Sequence, residues 1–254
     1  MCGLLSARRL FTVLLLVSVV PCCGCGGTAS HGNSLRARQH LLFAQALSRT
    51  GAEQAAANEA RLALAADPES PEVKTQAALA AGELGLRDWA AELLAGCAFS
   101  PSDRELWDVL INHCYRERRP ELVALCHRVL EYDPFDAQVA NTLAYFYAEQ
   151  GTHLQEAEVL AKRALAIAPF SGEILDTVGW VYYRQGRYQE ALDYLRRAVE
   201  KKGMADVPEV RAHLAATYEA LGRHREARLE REFGAAVQPT ESPTDSEAAP
   251  EEEP

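Results

Sequence analysis

The stretch GEILDTVGWVYYRQGRYQEALDYLRRA, residues 172–198, reads as two amphipathic helices joined by a glycine turn. Leu175, Val178 and Tyr182, then Ala191, Leu195 and Ala198, recur at helical spacing, and Gly186 interrupts them. Numbered from Gly172 as position 1, Gly179, Ala191 and Ala198 occupy positions 8, 20 and 27. These positions have to be small, because a larger side chain where two helices cross forces them apart.

Working outward, the same pattern recurs six times at a spacing of 33 to 36 residues. Upstream, Ala137 opens a copy with Leu143, Ala144, Tyr147, Gly151, Ala157 and Ala164, with one extra residue in its Gly151 to Leu154 turn. Arg104 opens another with Trp107, Leu110, Ile111, Cys114 and Leu122, one residue short around Arg118 to Pro120. Pro71 opens a degenerate copy with Ala77, Ala78, Gly85 and Ala90, and Ala37 opens the first with Ala44, Gly51, Ala56 and Ala63. Downstream, Pro208 opens the last with Leu214, Ala215, Tyr218, Gly222 and Ala227. Its charged run from Arg223 to Glu232 is suited to a terminal cap with a polar outer face.

A period near 34 residues with these small positions resembles the tetratricopeptide repeat. The resemblance implies an all-α, right-handed superhelical solenoid of six helix-turn-helix units. Their expected bounds are 37–70, 71–103, 104–136, 137–171, 172–207 and 208–236. Across Asn141 to Trp180 the chain is similar to the paired repeats of bacterial tetratricopeptide lipoproteins.

The N-terminus fits that comparison. Arg8 and Arg9 precede an eleven-residue apolar run, Leu10 to Val20, and Pro21-Cys22-Cys23-Gly24-Cys25 follows. Eleven residues are too few to span hydrocarbon, which takes about 20, and the order of charge, apolar run and small residues is that of an export signal. A lipoprotein is cut before a cysteine that follows a small residue, so residues 1–24 are expected to be a signal peptide and Cys25 the acylated residue, with Cys23 second choice. Ordinary secretion with cleavage after Ala29 is the competing reading. Residues 25–36 are expected to be a flexible lipidated tether. The residue after Cys25 is Gly26 rather than the aspartate that retains lipoproteins in the inner membrane, so the family rule favours the outer membrane.

Composition narrows the function classes. Net charge is −10; the leader arginines and the six acids of 237–254 leave −6 on 31–236, which argues against a nucleic-acid groove. The stretch 237–254, rich in Pro, Glu, Ser and Thr, lacks the apolar surface to fold and is expected to be a disordered acidic tail. No nucleophile elbow, HExxH helix or phosphate-cradling glycine loop is present, so no catalysis, cofactor, metal or small-molecule substrate is expected. Cys114 and Cys126 face the same helix interface; they are open to a disulfide in an oxidising compartment or to a role as small core hydrophobes. His113 and His127 flank them but point away by about 100° per residue, which disfavours a four-ligand metal site.

The family rule places unit positions 2, 5, 9, 12 and 13 on the concave face. It selects Asp108, Asn112, Tyr115 and Arg116, then Asn141, Tyr145 and Glu149, then Asp176, Trp180, Tyr183 and Arg184. Aromatics beside arginine are side chains enriched at binding hot spots, and packing against the next helix is their alternative role. The architecture is similar to the pilotins of type IV pilus systems, which implies an outer-membrane-anchored scaffold that grips an envelope protein such as a secretin. An adaptor for cell-wall or outer-membrane assembly machinery and an unrecognised envelope enzyme are the alternatives.

Overall fold

The computed structural model describes residues 29–237, so the leader, Cys23, Cys25 and residues 238–254 of the tail lie outside the described residues. Among the described residues there are twelve α-helices, one short 3-10 turn and no strand. They are α1 (Ala29–Ser48), α2 (Glu53–Ala66), α3 (Pro71–Glu83), α4 (Arg87–Ala95), α5 (Arg104–Arg116) and α6 (Glu121–Tyr132), then α7 (Ala137–Gln150), α8 (Leu154–Ile167), α9 (Gly172–Arg184), α10 (Tyr188–Val199), α11 (Pro208–Ala220) and α12 (His224–Val237). Odd-numbered helices are the first of each repeat and even-numbered ones the second.

The chain divides into two compact units after Val73. In the first, α1 and α2 form a hairpin closed by alanines: Ala37, Ala44, Ala56, Ala60 and Ala63 are wholly buried. Such small faces let two backbones approach closely, and His40 bridges to Glu59 at 2.7 Å across the pair. The tether expected over 25–36 is corrected here, because α1 runs back to Ala29. Leu35, Arg36, Ala37 and Arg38 are strong helix formers, and with no glycine or proline between Asn33 and Gly51 nothing stops the helix at Ala37.

The second unit, from Lys74 onward, has one large core, in which Trp107, Leu110, Leu122, Leu125, Leu143, Leu192 and Leu195 are buried among alanines, and a smaller cluster of Leu175, Ala198 and Val210. Helix starts follow local capping: the Asp136 carboxylate accepts from the Val139 amide at 2.9 Å to start α7, and Ser171 Oγ accepts from the Ile174 amide to start α9. Pro208 opens α11, where its missing N–H has no intrahelical partner to lose.

Every first helix ends in the same way. Residues 51, 85, 118, 151, 186 and 222 have a left-handed backbone, and the next amide bonds back to the carbonyl five residues earlier. Glycine occupies this turn in five repeats, and Arg118 occupies it in the third with φ 51°. From that residue to the first small buried position of the following helix is five residues in four repeats, four in the third (Arg118 to Leu122) and six in the fourth (Gly151 to Ala157). The extra residue of the fourth repeat places His153 in a left-handed conformation as well, φ 49°.

Cys97, Cys114 and Cys126 are free, buried thiols. The disulfide reading for Cys114 and Cys126 is thereby corrected: both sulfurs sit in the apolar seam between α5 and α6, where burial pushes the Cys114 thiol up to about 11 and the Cys126 thiol upward too. A thiol that resists ionisation in this way behaves as a small hydrophobe.

In repeats four to six the first helices pack on one another, α7 on α9 and α9 on α11, whereas α8, α10 and α12 make no comparable contact among themselves. The first-helix side is therefore the inner side of the bend in that stretch.

Candidate functional site

The inner side carries a line of rings in contact, stacked at α9 and tilted toward α7 and α5. Trp180 lies between two partners, His213 of α11 at 4.1 Å with ring planes 17° apart, and Tyr183 at 4.7 Å and 6°. Tyr145 of α7 sits 5.9 Å from His213 and 6.2 Å from Tyr115 of α5, so the line crosses four successive first helices. Four repeats contribute to it, from unit positions 12 (Tyr115), 9 (Tyr145 and Trp180) and 6 (His213), because their first helices lie side by side on one face.

Polar contacts fix the rings. His213 Nδ1 is 3.0 Å from both carboxylate oxygens of Asp176, so the imidazole donates through Nδ1. Its Nε2 faces the Tyr145 hydroxyl at 3.4 Å, and that hydroxyl donates to Glu209. Trp180 Nε1 donates to Glu149 at 2.8 Å, and Arg184 donates to the Glu149 carbonyl oxygen at 2.9 Å. Burial, reinforced by Glu209 and Glu149, pushes the Tyr115 hydroxyl up to about 12. Burial also raises the Asp176 carboxyl against the pull of His213. Each of these groups is held in place by a neighbour, and burial keeps the phenols protonated.

The residues selected from sequence are not equally available. Asn112 and Arg116 are exposed, and Asp108, Tyr115, Glu149, Trp180, Tyr183 and Arg184 are half-buried. Asp108 is taken up locally by an ion pair with Arg104 at 2.8 Å. Asn141, Tyr145 and Asp176 are 8%, 8% and 5% exposed, so the expectation that they line an open groove is corrected. The reason is the sixth repeat, whose His213 and Glu209 close over Asp176 and Tyr145. Asn141 Oδ1 is buried with no hydrogen-bond partner among the described residues.

His213 and Glu209 are the residues that sequence reasoning misses. Glu209 is within reach of it, since this residue occupies position 2 of the sixth repeat, but reading that repeat as a cap passes over it. His213 at position 6 lies off the family rule and gives no signal. The cap itself is partly apolar: Leu229 and Phe233 are exposed beside the ion pair of Arg231 with Glu219.

His113 and His127 have separate partners, Asp88 at 2.8 Å and the Tyr147 hydroxyl at 3.3 Å. No group of three metal-ligating side chains among the described residues is placed to hold an ion. No helix among them is long and apolar enough to cross a membrane.

Comparison with known proteins bears on the centre of this face. No curated protein sequence matches the chain. Among solved structures, TTC0263, a thermophilic TPR protein of Thermus thermophilus, is 20% identical, with 81% of this chain and 93% of that one covered at a TM-score of 0.41. MamA MSR-1 is 18% identical over 80% and 97% at 0.40. MamA from Desulfovibrio magneticus RS-1 is 13% identical over 80% and 94% at 0.39. At these scores the likeness is too coarse to bear on partners. The family model described as the tetratricopeptide repeat matches residues 135–202, so the segment that holds Tyr145, Trp180 and Tyr183 is made of tetratricopeptide repeats.

Proposed function

We propose that the chain is a non-enzymatic scaffold that binds another protein along the first-helix face of repeats three to six. The supporting observation is the ring line from Tyr115 to His213, fixed by Asp176, Glu149 and Glu209 and bordered by exposed Asn112 and Arg116. Rigid aromatic surface beside polar groups is what a protein partner can use with little loss of side-chain freedom. Tyr183 is the best probe, since it covers one face of Trp180 and is bonded to none of the buried acids. Tyr183→Ala is expected to weaken capture of the partner about tenfold, the order of one hot-spot residue, with the cooperative unfolding transition retained and lowered only by the loss of its ring contacts with Trp180 and Tyr188, about 1 kcal/mol each. Unchanged capture would remove Tyr183 from the site.

The finer reading is a lipoprotein held at the periplasmic face of the outer membrane through Cys25, whose partner is an envelope protein such as a secretin segment. The leader sequence and the repeat architecture support it. Cys25→Ala is expected to abolish incorporation of labelled palmitate, and persistent labelling would move the acyl group to Cys23. Deletion of the gene is expected to remove secretin multimers; intact multimers with altered wall or outer-membrane proteins would favour the assembly-adaptor reading.

A further inference from the structure

Among the described residues, the two non-glycine positions with left-handed backbone, Arg118 and His153, lie in the two turns whose length departs from the repeat. Those turns are neighbours and together line a cleft of about 620 Å³, with Val123, Phe146 and Tyr147 among its walls. A smaller cavity of about 120 Å³ opens on the inner side, lined by Tyr115, Arg116, Arg118, Phe146 and Glu149. Both cavities share Arg118 and Phe146, so these two side chains stand between the ring line and the turn.

Arg118 stands where five sister repeats have glycine, in a backbone conformation that disfavours any side chain. Residues kept in such conformations gather at functional positions. Its side chain is 63% exposed and spends one donor on Glu149 at 3.3 Å. Arg116, exposed on the same cavity, makes no ion pair among the described residues. Two guanidiniums thus flank an aromatic cavity with most of their donors open to solvent, a setting that a carboxylate satisfies.

We propose that Arg118 and Arg116 select a partner segment in which a side-chain carboxylate adjoins an apolar residue, the apolar group seated against Phe146 and the carboxylate on the two guanidiniums. This rests on the first-helix face being the binding site. The choice of acid over base follows from the charge of the free donors, and Glu149 is an internal carboxylate already held by Arg118 and Trp180.

The test uses two peptides, Gly-Phe-Glu-Glu-Phe-Gly and Gly-Phe-Gln-Gln-Phe-Gly, acetylated and amidated so that side-chain carboxylates are their sole difference. Each is titrated into the full protein and followed by the amide and Trp180 indole signals in NMR. The Glu peptide is expected to bind at least fivefold more tightly. Arg118→Gly should erase that preference while leaving the melting temperature equal or higher, because glycine relieves the turn; Arg116→Gln should reduce it. Equal binding of both peptides with shifts at Trp180 and Tyr183 would overturn the acidic preference and leave the face intact as a binding site. Absence of shifts with either peptide would overturn both. Retention of the preference in Arg118→Gly would overturn the role of Arg118.

Discussion

Asp176→Ala is expected to destabilise the protein by about 2–3 kcal/mol, the loss typical of a buried donor left without its acceptor. Asp176 and His213 are 5% and 6% exposed, so the substitution leaves Nδ1 buried without its carboxylate acceptor. Asp176→Asn tests a subtler point. Burial raises the Asp176 carboxyl above the ordinary 3.8, with the His213 hydrogen bond opposing. The folded state therefore binds this proton more tightly than the unfolded chain does. Ionisation of Asp176 removes stability as pH rises from the unfolded value through the folded one, and the loss is complete above it. The asparagine, uncharged and still able to accept from Nδ1, is expected to equal or exceed wild type at pH 7. Its advantage should shrink as pH falls toward 4. Thermal unfolding at both pH values measures this, and an advantage that grows on acidification would contradict it.

Gly179→Ala carries a comparable effect through sterics. A Cβ there would lie 2.6 Å from Leu195 Cγ, 2.9 Å from its Cδ2 and 3.2 Å from the Ala191 carbonyl oxygen. Leu195 is itself wholly buried and the carbonyl belongs to a helix, so neither gives way freely. The expected loss is about 1–3 kcal/mol, or roughly 2–4 °C in melting temperature per kcal/mol. Gly32→Ala is the control: nothing lies within 4 Å of its Cβ, and alanine is the better helix former by about 1 kcal/mol. Equal melting temperatures for the two variants would show that position 8 is not a helix crossing.

Small residues were the legible part of this chain. Gly179, Ala191 and Ala198 carry their reason in their size, and a clash is a local fact that one sequence can reveal. The turns were legible too, because Gly51, Gly85, Gly151, Gly186 and Gly222 mark left-handed backbone that few other residues adopt. Arg118 fits the register of that series but not its residue type, and the structure was needed to see it hold the same conformation. Availability at the surface was not legible. Position 9 gives both Tyr145 and Trp180, yet one is buried and the other half-exposed, because the Tyr145 hydroxyl meets Glu209 and His213 of the sixth repeat, a contact that no reading within one repeat contains. His213 reaches Asp176 across 37 residues of sequence, and no spacing rule within one repeat encodes such a contact.

The buried Asp176, His213 and Tyr145 give the face its rigidity, and the half-buried Trp180, Tyr183 and Tyr115 give it its contact area. A partner laid along it would touch α5 and α11 as well as α9. Photo-crosslinking in living cells tests this most directly, with p-benzoylphenylalanine placed at Asn112 and Ala212 on the inner helices and at Gln155 and Asp193, exposed on α8 and α10. Binding along the first-helix face predicts that the same envelope protein is captured from 112 and 212 and not from 155 or 193. Capture from 155 and 193 at equal yield, or none from 112 and 212, would contradict it.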